Sequence, residues 1–101
     1  MRMLVDIIFP HEQFNEAVRN GTTGETMGKI LADQKPEAVY FTNRGGKRSM
    51  TLIVNVDKPS DVPSIAEPWF LKFNADVQLR VVMSPEDLQN AGLDELGKKW
   101  G

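Results

Sequence analysis

Four short segments of the chain alternate apolar with other residues at period two: Met3–Phe9, Ala38–Thr42, Ser49–Val56 and Val77–Met83. One parity is apolar throughout. It runs through Met3, Val5, Ile7 and Phe9, then Val39 and Phe41, then Met50, Leu52, Val54 and Val56, and finally Val77, Leu79, Val81 and Met83. Side chains of a strand point alternately to opposite faces, so this parity predicts four strands that share one buried face.

The stretches between them have helical spacing. Pro10 ends the first strand, and Glu12–Asn20 reads as a helix with Phe14, Ala17 and Val18 on one side. A second stretch carries Met27, Ile30 and Leu31. At 100° per residue the stripes of Phe14 and Met27 point roughly 220° apart, so one straight helix cannot bury both. Gly21 and Gly24 lie between them, and Thr22-x-x-Glu25 has the form of a capping box. The expectation is two helical pieces with a break near Gly21–Gly24. Pro36 closes this region.

Asn43–Arg48 reads as a hairpin connection, with Gly45 and Gly46 supplying positive φ and Arg44, Lys47 and Arg48 forming a solvated basic tip. After a turn at Asp57–Pro63, capped by Ser60 or Asp61, a wide stripe follows: Val62, Ile65, Ala66, Trp69, Phe70 and Phe73. Trp69 and Phe70 are expected in the core, Pro68 bends the helix, and Asn74 ends it in a left-handed conformation. Ser84-Pro85-Glu86-Asp87 starts a short last helix, punctuated by Gly92 and Gly97. The order β-α-β-β-α-β is the ferredoxin-like split βαβ arrangement, an α+β fold with a four-stranded antiparallel sheet and helices on one face. Residues 1–101 are read as a single domain, with a core over 1–83 and a short helix and docking tail over 84–101.

The opposite parity of the strands is less simple. It reads Arg2, Leu4, Asp6, Ile8; Ala38, Tyr40, Thr42; Thr51, Ile53, Asn55; Gln78, Arg80, Val82. Leu4, Ile8, Ile53 and Val82 are too apolar for a wet face, while Asp6, Asn55, Gln78 and Arg80 are too polar for a dry core. A partner subunit that covers the face and leaves a semi-polar cavity satisfies both. With the first strand between the third and fourth, Asp6 is expected to face Arg80 on one side and Asn55 or Ile53 on the other. That pair is either a cross-strand brace or a ligand contact.

Composition narrows the partners. A formal net charge of −2 gives no electrostatic footprint for nucleic acid, and Thr51, Ile53 and Asn55 cannot stack bases as the sheet of an RNA-recognition module does. No apolar run approaches the ~20 residues of a membrane span. The start Met1-Arg2-Met3-Leu4-Val5-Asp6 is interrupted by Asp6 and reads as a strand rather than a leader, so a cytoplasmic protein is expected. With no cysteine and one histidine, neither a metal nor another cofactor is expected. The segment Gly21–Ile30 fails as a phosphate loop, because Thr23 stands where a glycine belongs and Ile30 where a hydroxyl belongs.

The strand–helix order, with Glu67-Pro68-Trp69-Phe70-Leu71 leading to Asn74-Ala75-Asp76-Val77 and an ending Met83-Ser84-Pro85-Glu86-Asp87-Leu88, resembles small bacterial proteins of the dimeric α+β barrel superfamily. The resemblance implies a homodimer whose two sheets enclose a cavity. Relatives include cofactor-free monooxygenases, muconolactone isomerases and haem proteins. The haem proteins place a histidine on a later element, and this chain has only His11. The resemblance therefore implies that a small organic molecule is bound between subunits, as in a cofactor-independent monooxygenase or isomerase. The alternative is a non-catalytic dimeric structural or interaction module. Asp6, Tyr40, Asn55 and Arg80 are the candidate ligand contacts, and His11 is the one candidate general base. The tail from Leu93 to Trp100 has too little apolar surface to fold alone and must dock on its own body or on a partner.

Overall fold

The computed structural model describes residues 1–101. The elements are β1 (Arg2–Ile8), α1 (His11–Asn20), α2 (Thr23–Gln34), β2 (Ala38–Arg44), β3 (Lys47–Asn55), α3 (Val62–Phe73), β4 (Asp76–Val81), α4 (Pro85–Gln89) and α5 (Leu93–Trp100), with a 3-10 turn at Pro59–Asp61. The sheet has the order β2-β3-β1-β4 and every pair is antiparallel, the ferredoxin-like topology. No helix is long and apolar enough to cross a membrane.

The apolar parity forms the core as expected. Val5, Ile7, Met50 and Leu52 are completely buried, and they pack with Phe14, Met27, Ile30, Ile65, Trp69 and Phe73 of the helices. At the edges the cover stops. Phe41 on β2 and Val81 on β4 have the core parity but remain exposed. Helix α3 buries Ile65, Ala66, Trp69 and Phe73, whereas Phe70 is exposed and corrects the expectation that it joins the core. One residue past Trp69 is a 100° turn, which carries Phe70 off the buried line. The Trp69 indole N–H donates to Gln34 Oε1 at 3.2 Å, and Gln34 Nε2 donates to the Ile65 carbonyl at 2.8 Å. One amide thus ties α2 to α3 and satisfies the only polar atom of the largest core side chain.

The helix break falls where the phase argument puts it. Gly21 ends α1 in the left-handed conformation at φ 70°. The expected capping box does not form. Thr22 sits at the N-cap of α2 with helical backbone angles, and its hydroxyl donates to Ala17 O at 3.5 Å instead. A cap needs an extended residue there to aim its oxygen at the next N–H groups. Asp61 likewise occupies the N-cap of α3 without a side-chain bond, and Ser64 Oγ donates to its carbonyl. Asn74 ends α3 at φ 52°, as expected.

Ser84 does cap α4 completely. The Asp87 N–H donates to Ser84 Oγ at 3.1 Å, and the Ser84 N–H donates to Asp87 Oδ2 at 3.0 Å. The Ser84 backbone N–H, then its hydroxyl, hold the Asp87 carboxyl below its ordinary 3.8. A depressed carboxyl stabilises the folded cap fully above its unfolded pKa, and the contribution is lost as pH falls through the lower folded value. NMR titration is expected to give Asp87 a midpoint below 3.8, shared by the Ser84 amide, and Ser84→Ala is expected to return it toward 3.8. An Asp87 midpoint at or above 3.8 in the unaltered protein would show that the cap is not formed in solution.

Candidate functional site

On the face turned away from α1, α2 and α3, the strand register lines the side chains into rows. One row is Tyr40, Thr51, Asp6 and Gln78; a second is Ala38, Ile53, Leu4 and Arg80; a third is Thr42, Ser49, Ile8 and Asp76. Leu4, Ile8, Ile53 and Val82 are half-buried, not fully open.

Asp6 is the centre of this face. It lies on a central strand, and its side chain is only 6% exposed although no helix packs over it. Its carboxylate is enclosed by side chains of three other strands. Thr51 Oγ1 of β3 donates to Oδ1 at 3.0 Å, Arg44 Nη2 of β2 donates to Oδ1 at 3.3 Å, and Arg80 Nη1 of β4 donates to Oδ2 at 3.1 Å. Both guanidinium groups remain more than half exposed, and each spends one nitrogen on Asp6. Two cations around one anion leave a formal charge of +1, with several N–H donors directed outward.

Asp6 and Arg80 thus meet as expected, but diagonally: Asp6 lies opposite Gln78, and Arg80 opposite Leu4. On the other side Asp6 faces Thr51, not Asn55 or Ile53. Asn55 lies opposite Arg2, four residues farther along β3, or about 13 Å at the strand rise. There its Nδ2 donates to Glu37 Oε1 at 2.8 Å, beside an Arg2–Glu37 ion pair at 3.0 Å. Asn55 therefore belongs to a separate exposed cluster. Tyr40 does share the Asp6 row, separated by Thr51, and is exposed. His11 is the first residue of α1 and exposed, so it belongs to the helical layer and not to this face.

Arg44 is the residue the sequence reading missed. The hairpin connection is only the two residues Gly45 and Gly46, at φ 59° and 81°, and strand pairing continues to Arg44 opposite Lys47. Two positive φ angles suit the right-handed twist of the flanking strands. The basic tip consequently dissolves into two destinations. Arg44 extends the parity of Ala38, Tyr40 and Thr42 and reaches Asp6, while Arg48 turns to the other face, where it donates to Asn15 Oδ1 at 2.7 Å and lies 4.8 Å above the Phe14 ring. The Gly-Gly pair and the continuing parity were the available signals.

Ser49 adds a further polar atom. It is buried, lies in the row between those of Arg44 and Asp6, and its Oγ has no partner. It is an unpaired buried hydroxyl that can donate or accept.

No protein-family model matches the chain, and no curated protein matches it. Among solved structures it is similar to the de novo designed protein Ferredog-Diesel, with 14% identity and a TM-score of 0.48 over 80% of this chain and 85% of that one.

Proposed function

We propose that this protein binds a small organic anion, a monocarboxylate, on the sheet face around Asp6, and that a second copy packs its own face over the site to enclose the ligand. The observation that carries this reading is the convergence of two half-exposed guanidinium groups on one buried carboxylate, with a surplus positive charge and unused donors. Planar guanidinium forks match carboxylate geometry. Half-buried Leu4, Ile8, Ile53 and Val82 provide the apolar surround that a ligand body and a partner sheet need.

The reading stops at binding. Both Asp6 oxygens already accept hydrogen bonds, so Asp6 holds the arginines in place and is not a free base. Monooxygenase- or isomerase-type chemistry needs a proton acceptor in the cavity, and His11 belongs to a different layer.

Two measurements test it. Light scattering at micromolar concentration is expected to give twice the 11.3 kDa chain mass. In thermal unfolding, benzoate at ten times its Kd is expected to raise Tm by about 5 °C or more, while neutral benzamide leaves it unchanged. Arg80→Leu is expected to remove the benzoate gain and leave the dimer intact. A dimer weakened by Arg80→Leu, with no response to benzoate in either protein, would instead make the cluster an interface brace of a non-catalytic module.

A further inference from the structure

The sheet has a slot at the end where β1 leaves it. Strand β1 makes its last bond to β3 from the Phe9 N–H to Arg48 O at 3.0 Å, and its pairing with β4 stops at Ile8 opposite Asp76. At Pro10 the chain turns into α1. The starts of β3 and β4 then flank a cavity of about 210 Å³, lined by Ile8, Phe9, Pro10, Lys47, Asn74 and Asp76.

Its two walls are opposite in charge. Lys47 begins β3 and Asp76 begins β4, on either side of β1 and two strand spacings apart, about 10 Å. Both continue the parity of the Asp6 face. Neither forms an ion pair, with the other or with any other side chain.

The backbone adds groups of the same use to each wall. In the β1–β4 register the next partner of Asn74 is Pro10, which has no N–H to give. The Asn74 N–H is spent on Phe70 O at 2.9 Å, and the Asn74 carbonyl receives no donor. The β4 wall thus offers a carboxylate and a free carbonyl, both acceptors. On the β3 side lies α1, held there by Arg48 donating to Asn15 at 2.7 Å. Its N-cap is Pro10, which makes no side-chain cap, and the N–H groups of His11, Glu12 and Gln13 find no acceptor in the chain. That wall offers an ammonium and the positive end of a helix, all donors.

A ligand that satisfies both walls carries an ammonium and a carboxylate a few atoms apart. In an α-amino acid the nitrogen and the outer carboxylate oxygen are roughly 3.5 Å apart, and a hydrogen bond of about 2.8 Å at each end extends the reach to about 9 Å, the width of the slot. The volume lies below the ~300 Å³ at which drug-sized sites begin, which limits the side chain to an atom or two. We propose that this slot binds a small zwitterionic α-amino acid the size of glycine or alanine, with its ammonium on Asp76 and the Asn74 carbonyl and its carboxylate on Lys47 and the first turn of α1. The proposal uses neither Arg44 nor Arg80, so it does not rest on the monocarboxylate reading of the Asp6 cluster.

Amide chemical shifts during a glycine titration at neutral pH test it. Glycine is expected to move the amides of Phe9, His11, Lys47 and Asp76 saturably, with a Kd on the order of 1–10 mM. Acetate and methylammonium each carry one of the two charges and are expected to bind at least about tenfold more weakly. Lys47→Met and Asp76→Asn alter exposed side chains, so both variants are expected to keep the amide spectrum of the folded chain while glycine binds about tenfold more weakly to each. The proposal is overturned by the absence of a saturable shift at these amides, or by shifts centred instead on Thr51 and Arg80. It is equally overturned by acetate or methylammonium binding as tightly as glycine, or by full glycine affinity in either variant.

Discussion

Replacing Trp69 by alanine is expected to lower the unfolding free energy by about 3–5 kcal/mol, read as a lower urea midpoint at unchanged slope. The indole has no exposed surface, lies 5.8 Å from Phe73 in a stacked arrangement, and meets Phe9 edge-on at 6.2 Å. Truncation removes that burial, leaves a cavity that a rigid sheet and α3 cannot fill, and deprives Gln34 of the donor it accepts from. For a domain whose total stability is about 5–15 kcal/mol, this is a large fraction. Phe70→Ala, one residue on, is expected to cost about 1 kcal/mol, because its ring is already 41% exposed. Equal losses at the two positions would mean that α3 sits on the sheet in a different rotation.

The second large effect concerns the arginine pair. Arg44→Ala and Arg80→Ala singly are expected to cost at most about 1 kcal/mol each, because both side chains are more than half exposed and solvent screens the lost attraction. Together they leave the nearly buried Asp6 carboxylate with Thr51 alone, and the double variant is expected to lose about 3 kcal/mol, more than the sum. Asp6→Asn in that double background is expected to recover most of the loss, since a neutral amide has no charge to strand. Urea denaturation of the four variants measures the coupling. Strict additivity, or no recovery by Asp6→Asn, would show that the arginines stabilise the face by packing and not by neutralising Asp6.

The same variants bear on function. If the guanidinium groups mainly offset Asp6, their loss appears in stability; if they mainly recognise an anion, it appears in the benzoate response of the single variants, whose folds remain intact. The two roles are compatible, because a buried carboxylate is what holds two mobile guanidinium groups at a fixed separation on an open sheet.

How much of this was legible in the residues depends on which physical quantity each feature rests on. Parity in a strand is a local property, so the buried set Val5, Ile7, Met50, Leu52 and Val54 was readable without knowing any partner. The phase conflict between Phe14 and Met27 is equally local, and it located the break that Gly21 makes. Capping was only partly readable. Ser84-x-x-Asp87 closed its box, but Thr22 and Asp61 did not, because their backbones were drawn into helical angles by the elements they join.

The site shows the limit most clearly. The sequence by itself determined that Asp6 and Arg80 share a mixed face and that this face is separate from the core. It could not choose what lies opposite Asp6, because sliding one strand by two residues preserves every parity while exchanging every neighbour. Register was decided by the two-residue Gly45–Gly46 turn and by the packing of the sheet under Trp69 and Phe73. That register moved Asn55 away, set Thr51 beside Asp6, and brought Arg44 from an expected turn onto the site. The outward course of α4 and α5 was also a tertiary decision. A sided helix announces an apolar stripe, but only the completed body, with its helical layer already filled by α1, α2 and α3, leaves Leu93, Leu96 and Trp100 of α5 exposed.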